Sequence, residues 1–321
     1  MTISILGAGA WGTAIAISLS SKQDIILWTH NKSKCQLINE KRESDRLPGC
    51  LIPDNISVKS DIKDTINSAA IIIATPTQSL REVCKQLRGI QKGTPIILAC
   101  KGIEQSTLML PSEIAQEILP DNPTAIFSGP SFAIEVAKNL PYSMVLACQD
   151  TTLGLKLTSE LKQKNMILHF SNDVVSVQTC AALKNVFAIA CGIVLGRKLG
   201  YNAHAALITK SINEVRTLYL AKTNVNNIDT LLGPSCLGDL VMTCTSLNSR
   251  NLSFGLKISN SNCDIQQALR ESKSTIEGIS TARSTFELAQ KLKIQMPICE
   301  AIYELLYKNV NIDDIISKLV L

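Results

Sequence analysis

The chain has only three histidines and no Cys-x-x-Cys pair, although it carries eleven cysteines. Scattered thiols with so little imidazole do not make a zinc pattern, and they read as reduced, mostly buried side chains rather than a disulfide framework. No metal is expected. Aromatic residues amount to 4% and the net charge to +5, with no basic block interleaved with aromatics, so a nucleic-acid groove is not expected either. The first apolar run begins at residue 3, leaving no room for a signal peptide, and no uncharged apolar run nears the ~18 residues of a membrane span. These absences predict a cytoplasmic chain without membrane insertion. What is present is ordinary for a globular protein: 45% hydrophobic residues in 321 suffice for one or two domains with a sizeable core.

The most informative stretch is the first. Ile3-Ser4-Ile5-Leu6 reads as a short strand, Gly7-Ala8-Gly9-Ala10-Trp11-Gly12 as a glycine turn, and Thr13 to Leu19 as an apolar helix. Gly7 permits the tight turn, Gly9 lets backbone approach a pyrophosphate, and Gly12 lets the helix pack on the strand. The N–H groups at the helix start then face an anion, so the implied ligand is a dinucleotide. Asp24 to Thr29 reads as the second strand. The acidic residue that usually meets the adenosine ribose is missing after it; Thr29-His30-Asn31-Lys32 stand there instead. The His30 imidazole can stack on adenine and Lys32 can tolerate a 2′-phosphate, so NADPH is permitted beside NADH.

Residues 47–56 read as a Pro-punctuated connection. Ala69 to Ala74 is a buried strand stopped by Thr75-Pro76-Thr77, a helix is expected from about Ser79 to Leu87, and Pro95 to Cys100 is the next strand. That strand ends in Lys101-Gly102, at the sheet edge where phosphates and carbonyls bind. Thr124 to Phe127 runs into Ser128-Gly129-Pro130-Ser131-Phe132-Ala133, a loop offering backbone N–H groups and two hydroxyls. Tyr142 to Ala147 and Met166 to Phe170 read as the last strands.

From Val174 the apolar runs lengthen and helical spacing dominates, so residues 1–173 are read as a dinucleotide-binding domain and 174–321 as an all-helical catalytic domain. Lys184 and Asn185 interrupt the most apolar helix, Gln178 to Leu195. A buried ammonium must snorkel, pair with an acid or face a wet cavity, and partial desolvation beside other cations would bring its pKa toward working pH, as a general acid or base needs. Asp239 offers an acid in apolar surroundings. Ser249-Arg250-Asn251 join a planar cationic fork to neutral donors, a set suited to a phosphate monoester.

Together these segments resemble the bacterial NAD(P)-dependent glycerol-3-phosphate dehydrogenases over essentially the whole chain. The likeness is carried by the glycine turn, by Ala99 to Glu104, Ser128 to Ala133 and Ala182 to Val186, by Leu237-Gly238-Asp239-Leu240 with Thr243-Cys244-Thr245, and by Ser249 to Asn251 and Ile276-Glu277-Gly278. It implies a Rossmann-type α/β domain followed by an all-α substrate domain, with the site in the cleft between them. The implied reaction is reversible reduction of dihydroxyacetone phosphate to sn-glycerol 3-phosphate, in the supply of glycerophospholipid synthesis. The resemblance makes Lys184 the acid/base, with Lys101 and Asp239 completing the catalytic set. It places Gly129, Ser131, Asn185, Thr243, Ser249, Arg250 and Asn251 on substrate together with those three. Gly7, Gly9, Ala10, Trp11, Gly12, His30, Lys101, Ala133, Arg250, Thr275 and Glu277 fall to NAD or NADP.

Three departures stand out: Cys236 where a small residue is frequent, Leu252 and Ser253 where basic residues follow the Arg-Asn pair, and Thr275 where an aliphatic cofactor contact is expected. A homodimer is compatible with the chain. Two other readings remain: a two-domain dehydrogenase of hydroxy acids or hydroxyacyl thioesters, which needs a carboxylate clamp or a histidine-centred acid, and a non-catalytic dinucleotide sensor, which would be expected to lose the lysine, aspartate or arginine.

Overall fold

In a computed structural model, which describes residues 2–226, 228–260, 265–271, 275–308 and 310–320, the chain forms two compact units. The first comprises Met1–Cys100 and Pro111–Val174, the second Lys101–Leu110 and Val175–Leu321. A single cut at residue 173 therefore does not describe them. Ten residues that lie between two strands in sequence belong with the helices, because Ile103 and Leu110 are buried in the helical core.

The first unit is built on eight strands: β1 Thr2–Leu6, β2 Asp24–Trp28, β3 Ile56–Lys59, β4 Ala70–Ile73, β5 Ile96–Leu98, β6 Thr124–Ser128, β7 Tyr142–Cys148 and β8 Met166–Ser171. Their order is β3-β2-β1-β4-β5-β6-β7-β8, and only β6 and β7 pair antiparallel. The chain thus reverses between β1 and β4, where Ile3 pairs with Ala70 and Leu6 with Ile73. All four residues of β4 are fully buried, as a strand covered on both faces requires. The six strands from β3 to β6 have the strand order of dinucleotide-binding sheets, whose ligands sit at the carboxyl ends beside such a reversal.

Two details differ from the sequence reading. β3 begins at the last residue of what reads as a connection; its Ile56-Ser57-Val58-Lys59 alternate buried and exposed. The early helix after β4 begins at Thr77, not Ser79.

The second unit is helical among its described residues. At its centre runs Val174–Gly196, whose residues from Cys180 to Val194 form the heart of the core with Leu252, Phe254, Ala282 and Ile302. By length and composition alone this helix could cross a membrane, but its apolar stretch is almost wholly buried within the fold. Close packing sets several glycines: a Cβ on Gly192 would stand 2.1 Å from the Leu252 carbonyl oxygen, and one on Gly255 2.0 Å from that of Ile189. The expectation of reduced thiols fails at one place. Cys180 and Cys236 form a disulfide, because the Pro234–Gly238 turn brings its backbone against the Val174–Gly196 helix with 5.0 Å between the two Cα atoms. A separation of 56 residues hides that pairing from spacing arguments.

Candidate active site

In the first unit the loops that follow β1, β2 and β6 hold Gly7, Gly9, Ala10, Trp11, Gly12, His30 and Ala133 of the predicted cofactor residues, while Lys101, Arg250, Thr275 and Glu277 belong to the second unit. Gly7 takes φ +117°, and a Cβ there would meet the Ala74 carbonyl oxygen at 2.9 Å; a Cβ on Gly12 would stand 1.9 Å from the oxygen of Gly7. These two glycines are required by the fold. Gly9 differs: nothing lies within 4 Å of its Cβ position, at the N-terminal cap of the Ala10–Leu19 helix. Backbone N–H groups at that helix start are thus left open to an anion.

Trp11 stacks on Phe127 with ring centroids 6.5 Å apart, and its indole N–H is buried with no partner among the described residues. His30 is exposed beyond β2, its ring 6.4 Å from that of Trp28, while Asn31 caps the Lys32–Lys41 helix by accepting from the Lys34 N–H at 2.9 Å. After β6, Gly129 is held close to the backbone of Ser143, Ser131 Oγ donates to the Gly129 carbonyl at 2.9 Å, and Ala133 opens a short helix. An open glycine backbone, an unpaired buried indole N–H and an exposed imidazole are what a dinucleotide would occupy, and these residues fit one.

The second unit gathers the predicted catalytic residues. Asp239 opens the Asp239–Thr245 helix and is fully buried, accepting from Lys184 Nζ at 2.5 Å on Oδ1 and from Lys101 Nζ at 3.0 Å on Oδ2. Lys184 also donates to Thr243 Oγ1 at 3.1 Å, whose hydroxyl in turn donates to the Asp239 carbonyl at 2.6 Å. The i, i+4 spacing of Asp239 and Thr243 stacks both on one helix face, which is why one lysine meets both. Burial, helped by the neighbouring charge of Lys101, brings the Lys184 pKa down to about 8 despite the pull of Asp239. Burial alone would raise the Asp239 carboxyl, but the Lys101 and Lys184 ammonium groups hold it below the ordinary carboxylate value.

A second chain of contacts runs from the next residue of the same helix. Asn185 Oδ1 accepts from Asn251 Nδ2 at 2.9 Å, Asn251 Oδ1 accepts from the Gly278 N–H at 3.0 Å, and Asn185 Nδ2 donates to Glu277 Oε2 at 3.4 Å. Burial raises the Glu277 carboxyl, against the charges of Arg250, Lys101 and Lys184. Ser249 is the N-cap of the Arg250–Ile258 helix, its Oγ accepting from the Leu252 N–H at 3.3 Å. Ser249, Arg250 and Asn251 are therefore a helix start and not the polar loop that their composition allows.

Lys101, Lys184 and Arg250 set three cations against the two carboxylates Asp239 and Glu277, an excess that suits a phosphate. Thr275 is exposed, two residues before Glu277. Gly278, part of a quoted motif but given no role from sequence, turns out to be necessary: a Cβ there would stand 2.5 Å from the Asn185 carbonyl oxygen.

A dinucleotide-type sheet and a helical unit with a buried lysine–aspartate–lysine cluster define an NAD(P)-dependent oxidoreductase that acts on small carbonyl substrates. Comparison with known proteins refines the class. The family models for the N-terminus and C-terminus of NAD-dependent glycerol-3-phosphate dehydrogenase match residues 2–154 and 173–317. The chain is 71% identical to glycerol-3-phosphate dehydrogenase [NAD(P)+] of Wolbachia sp. subsp. Brugia malayi over 100% of both chains. It is 48% identical to that of Ehrlichia canis, over 99% of this chain and 100% of the relative. The crystal structure of glycerol-3-phosphate dehydrogenase from Coxiella burnetii superposes with a TM-score of 0.93 at 33% identity, covering 99% of this chain and 98% of that one. The chain belongs to the NAD-dependent glycerol-3-phosphate dehydrogenase family.

Proposed function

We infer that the protein reduces dihydroxyacetone phosphate to sn-glycerol 3-phosphate with NADH or NADPH, reversibly, in the supply of glycerophospholipid synthesis. The reduced nicotinamide supplies the hydride that reaches C2 of the substrate. In this reading residues 1–173 carry the dinucleotide on Gly7, Gly9, Ala10, Trp11, Gly12, His30 and Ala133, with Lys101, Arg250, Thr275 and Glu277 completing its contacts. Lys184, protonated, gives its proton to the C2 oxygen as the alkoxide forms, and its charge stabilises that alkoxide beforehand. Asp239 holds both lysines and keeps Lys184 charged. Lys101, Gly129, Ser131, Asn185, Thr243, Ser249, Arg250 and Asn251 orient the substrate, the Arg250 fork and the helix start taking its phosphate.

The observation that carries this reading is the sharing of one buried carboxylate by two lysines: it holds the Lys184 ammonium in place, while burial, with Lys101 beside it, brings its pKa down to about 8, where its proton can leave at working pH. A hydroxy-acid dehydrogenase with a histidine acid is disfavoured because none of the three histidines belongs to this cluster. A cytoplasmic homodimer without membrane insertion or nucleic acid completes the reading, and sedimentation of the purified protein tests the assembly. The function is tested by the loss of reduced-nicotinamide absorbance on adding dihydroxyacetone phosphate, with NADH and NADPH in parallel. Lys184→Ala is expected to lower the rate by ~10²- to 10⁴-fold. Binding of NADPH without turnover in the wild type would favour a sensor instead.

A further inference from the structure

One residue of the Ala99-to-Glu104 motif has no task in the reaction as described. Glu104 is 4% exposed, yet it belongs to a stretch between a strand and a helix where an acid would ordinarily be solvated. Its carboxylate accepts from Thr107 Oγ1, its N–H donates to the Met109 carbonyl at 3.0 Å, and its carbonyl accepts from the Leu108 N–H at 2.9 Å. Within the turn so closed, Leu108 has φ +63°, a left-handed conformation that leucine rarely takes and that its surroundings must enforce. The turn is anchored on both sides. Ile103 and Leu110 are buried in the helical core, and the Ile103 carbonyl accepts from Ser284 Oγ at 3.0 Å. Lys101 stands three residues before Glu104, and its ammonium sits 3.0 Å from Oδ2 of Asp239. A long lysine side chain is placed only as well as the backbone from which it starts.

We propose that Glu104 is a positioning residue for the reaction: it closes the 104–109 turn and thereby fixes the backbone from which Lys101 delivers its ammonium to Asp239, beside Lys184. This rests on Lys184 being the acid. Lys184 is faced by Asp239 and the Cys244 thiol on one helix, by Glu277 at the start of another, and by Lys101 from the 101–110 segment. Of these groups, Lys101 is the one carried by the segment that the Glu104 turn closes. Losing its charge from beside Lys184 removes a repulsion, so Lys184 holds its proton to higher pH.

The test is the pH dependence of dihydroxyacetone phosphate reduction in the wild type, Glu104→Ala, Glu104→Gln, Thr107→Val, Lys101→Met and Lys184→Ala. Glu104→Ala and Thr107→Val are expected to raise KM for dihydroxyacetone phosphate several-fold and to move the alkaline limb upward, in the direction of Lys101→Met. Glu104→Gln keeps an acceptor for Thr107 and falls between them and the wild type. Lower activity with the alkaline limb unmoved, while Lys101→Met shifts it, overturns the proposal and leaves the acid assignment standing. Activity that survives Lys184→Ala overturns both. Should Glu104→Ala fail to fold, Thr107→Val decides the question: it removes the hydroxyl that donates to Glu104 and accepts from the Met109 N–H at 3.3 Å, and leaves the Glu104 carboxylate in place.

Discussion

Lys184 Nζ and Asp239 Oδ1 stand 2.5 Å apart with 6% and 0% of the two residues exposed. Such a pair is weak evidence of stability, since removing both charges from water offsets most of their attraction, but breaking it from one side is costly. In Asp239→Asn the carboxylate that both ammonium groups contact is gone, and Glu277 is left as the carboxylate acting on them. We expect a loss of ~3–5 kcal/mol in stability, read as a fall in Tm, and near-complete loss of reduction at neutral pH. Any remaining activity should move toward acid pH, because Lys184 without its anion gives up its proton earlier. An active variant with an unshifted pH profile would sink the assignment of Asp239.

The pH dependence of the wild type follows from Lys184. Its pKa is brought down to about 8, first by burial. Reduction needs the ammonium form, so its rate should decline as pH rises through that value. Oxidation of sn-glycerol 3-phosphate needs the neutral amine and should rise over the same range. Initial rates in both directions across that interval check the pair of trends, and a reduction rate flat through pH 8 would contradict them.

Two glycines three residues apart in the same turn, Gly9 and Gly12, should separate folding from cofactor binding. Gly12→Ala places a Cβ 1.9 Å from the Gly7 oxygen, and the protein should unfold or lose several degrees of Tm. Gly9→Ala meets nothing within 4 Å, so the fold should stand while NADPH binding weakens, because the methyl group projects where backbone must approach the pyrophosphate. Thermal melting beside NADPH fluorescence distinguishes the two. Equal affinity in Gly9→Ala and wild type would remove the pyrophosphate from this loop.

Glu214 is a buried carboxylate that the reaction does not use. It accepts from the Ile298 N–H at 2.5 Å and from the Cys299 N–H at 3.2 Å, closing the start of the Pro297–Tyr307 helix. Burial nevertheless raises its pKa to about 7, the two N–H groups opposing. The folded chain therefore binds a proton here that the unfolded chain has released between the ordinary glutamate value and about 7. This contribution destabilises the fold progressively as pH rises through that window, by about 3 kcal/mol when complete, and vanishes below it. Glu214→Gln should lose this part of the pH dependence, so that wild-type Tm falls relative to the variant between pH 5 and pH 8. Parallel Tm curves would show that Glu214 ionises normally.

Much of the architecture was legible because buried parallel strands announce themselves: Ile71-Ile72-Ile73 and Ile96-Ile97-Leu98 have no other plausible home. β3 was not, since four alternating residues after Pro53-Asp54-Asn55 look like the end of a loop. The antiparallel direction of β7 was equally hidden, because apolar periodicity is the same for either direction. Lys184 could be singled out from its apolar helix and Asp239 from its apolar surroundings, but which atoms meet depends on packing over 55 residues. Ser249 as a helix cap was readable in principle, serine being a favoured N-cap before an apolar run. Glu104 gave no such signal. An acidic residue in a connecting segment is ordinarily solvated, and only the burial of Ile103 and Leu110 reveals that this segment belongs to another unit's core.

That borrowed segment bears on how the protein is made. The ribosome releases residues 101–110 long before the helices whose core they fill, and at about 5–20 residues per second the wait for Val174–Gly196 lasts several seconds. During that time Ile103 and Leu110 have no apolar surroundings of their own, while the sheet on either side can already assemble. A fragment begun at residue 174 would lack part of its interior and the lysine that meets Asp239. The gene can therefore not be divided at its apparent seam into two self-sufficient halves, and any permuted or split version has to carry the ten-residue segment with the helices.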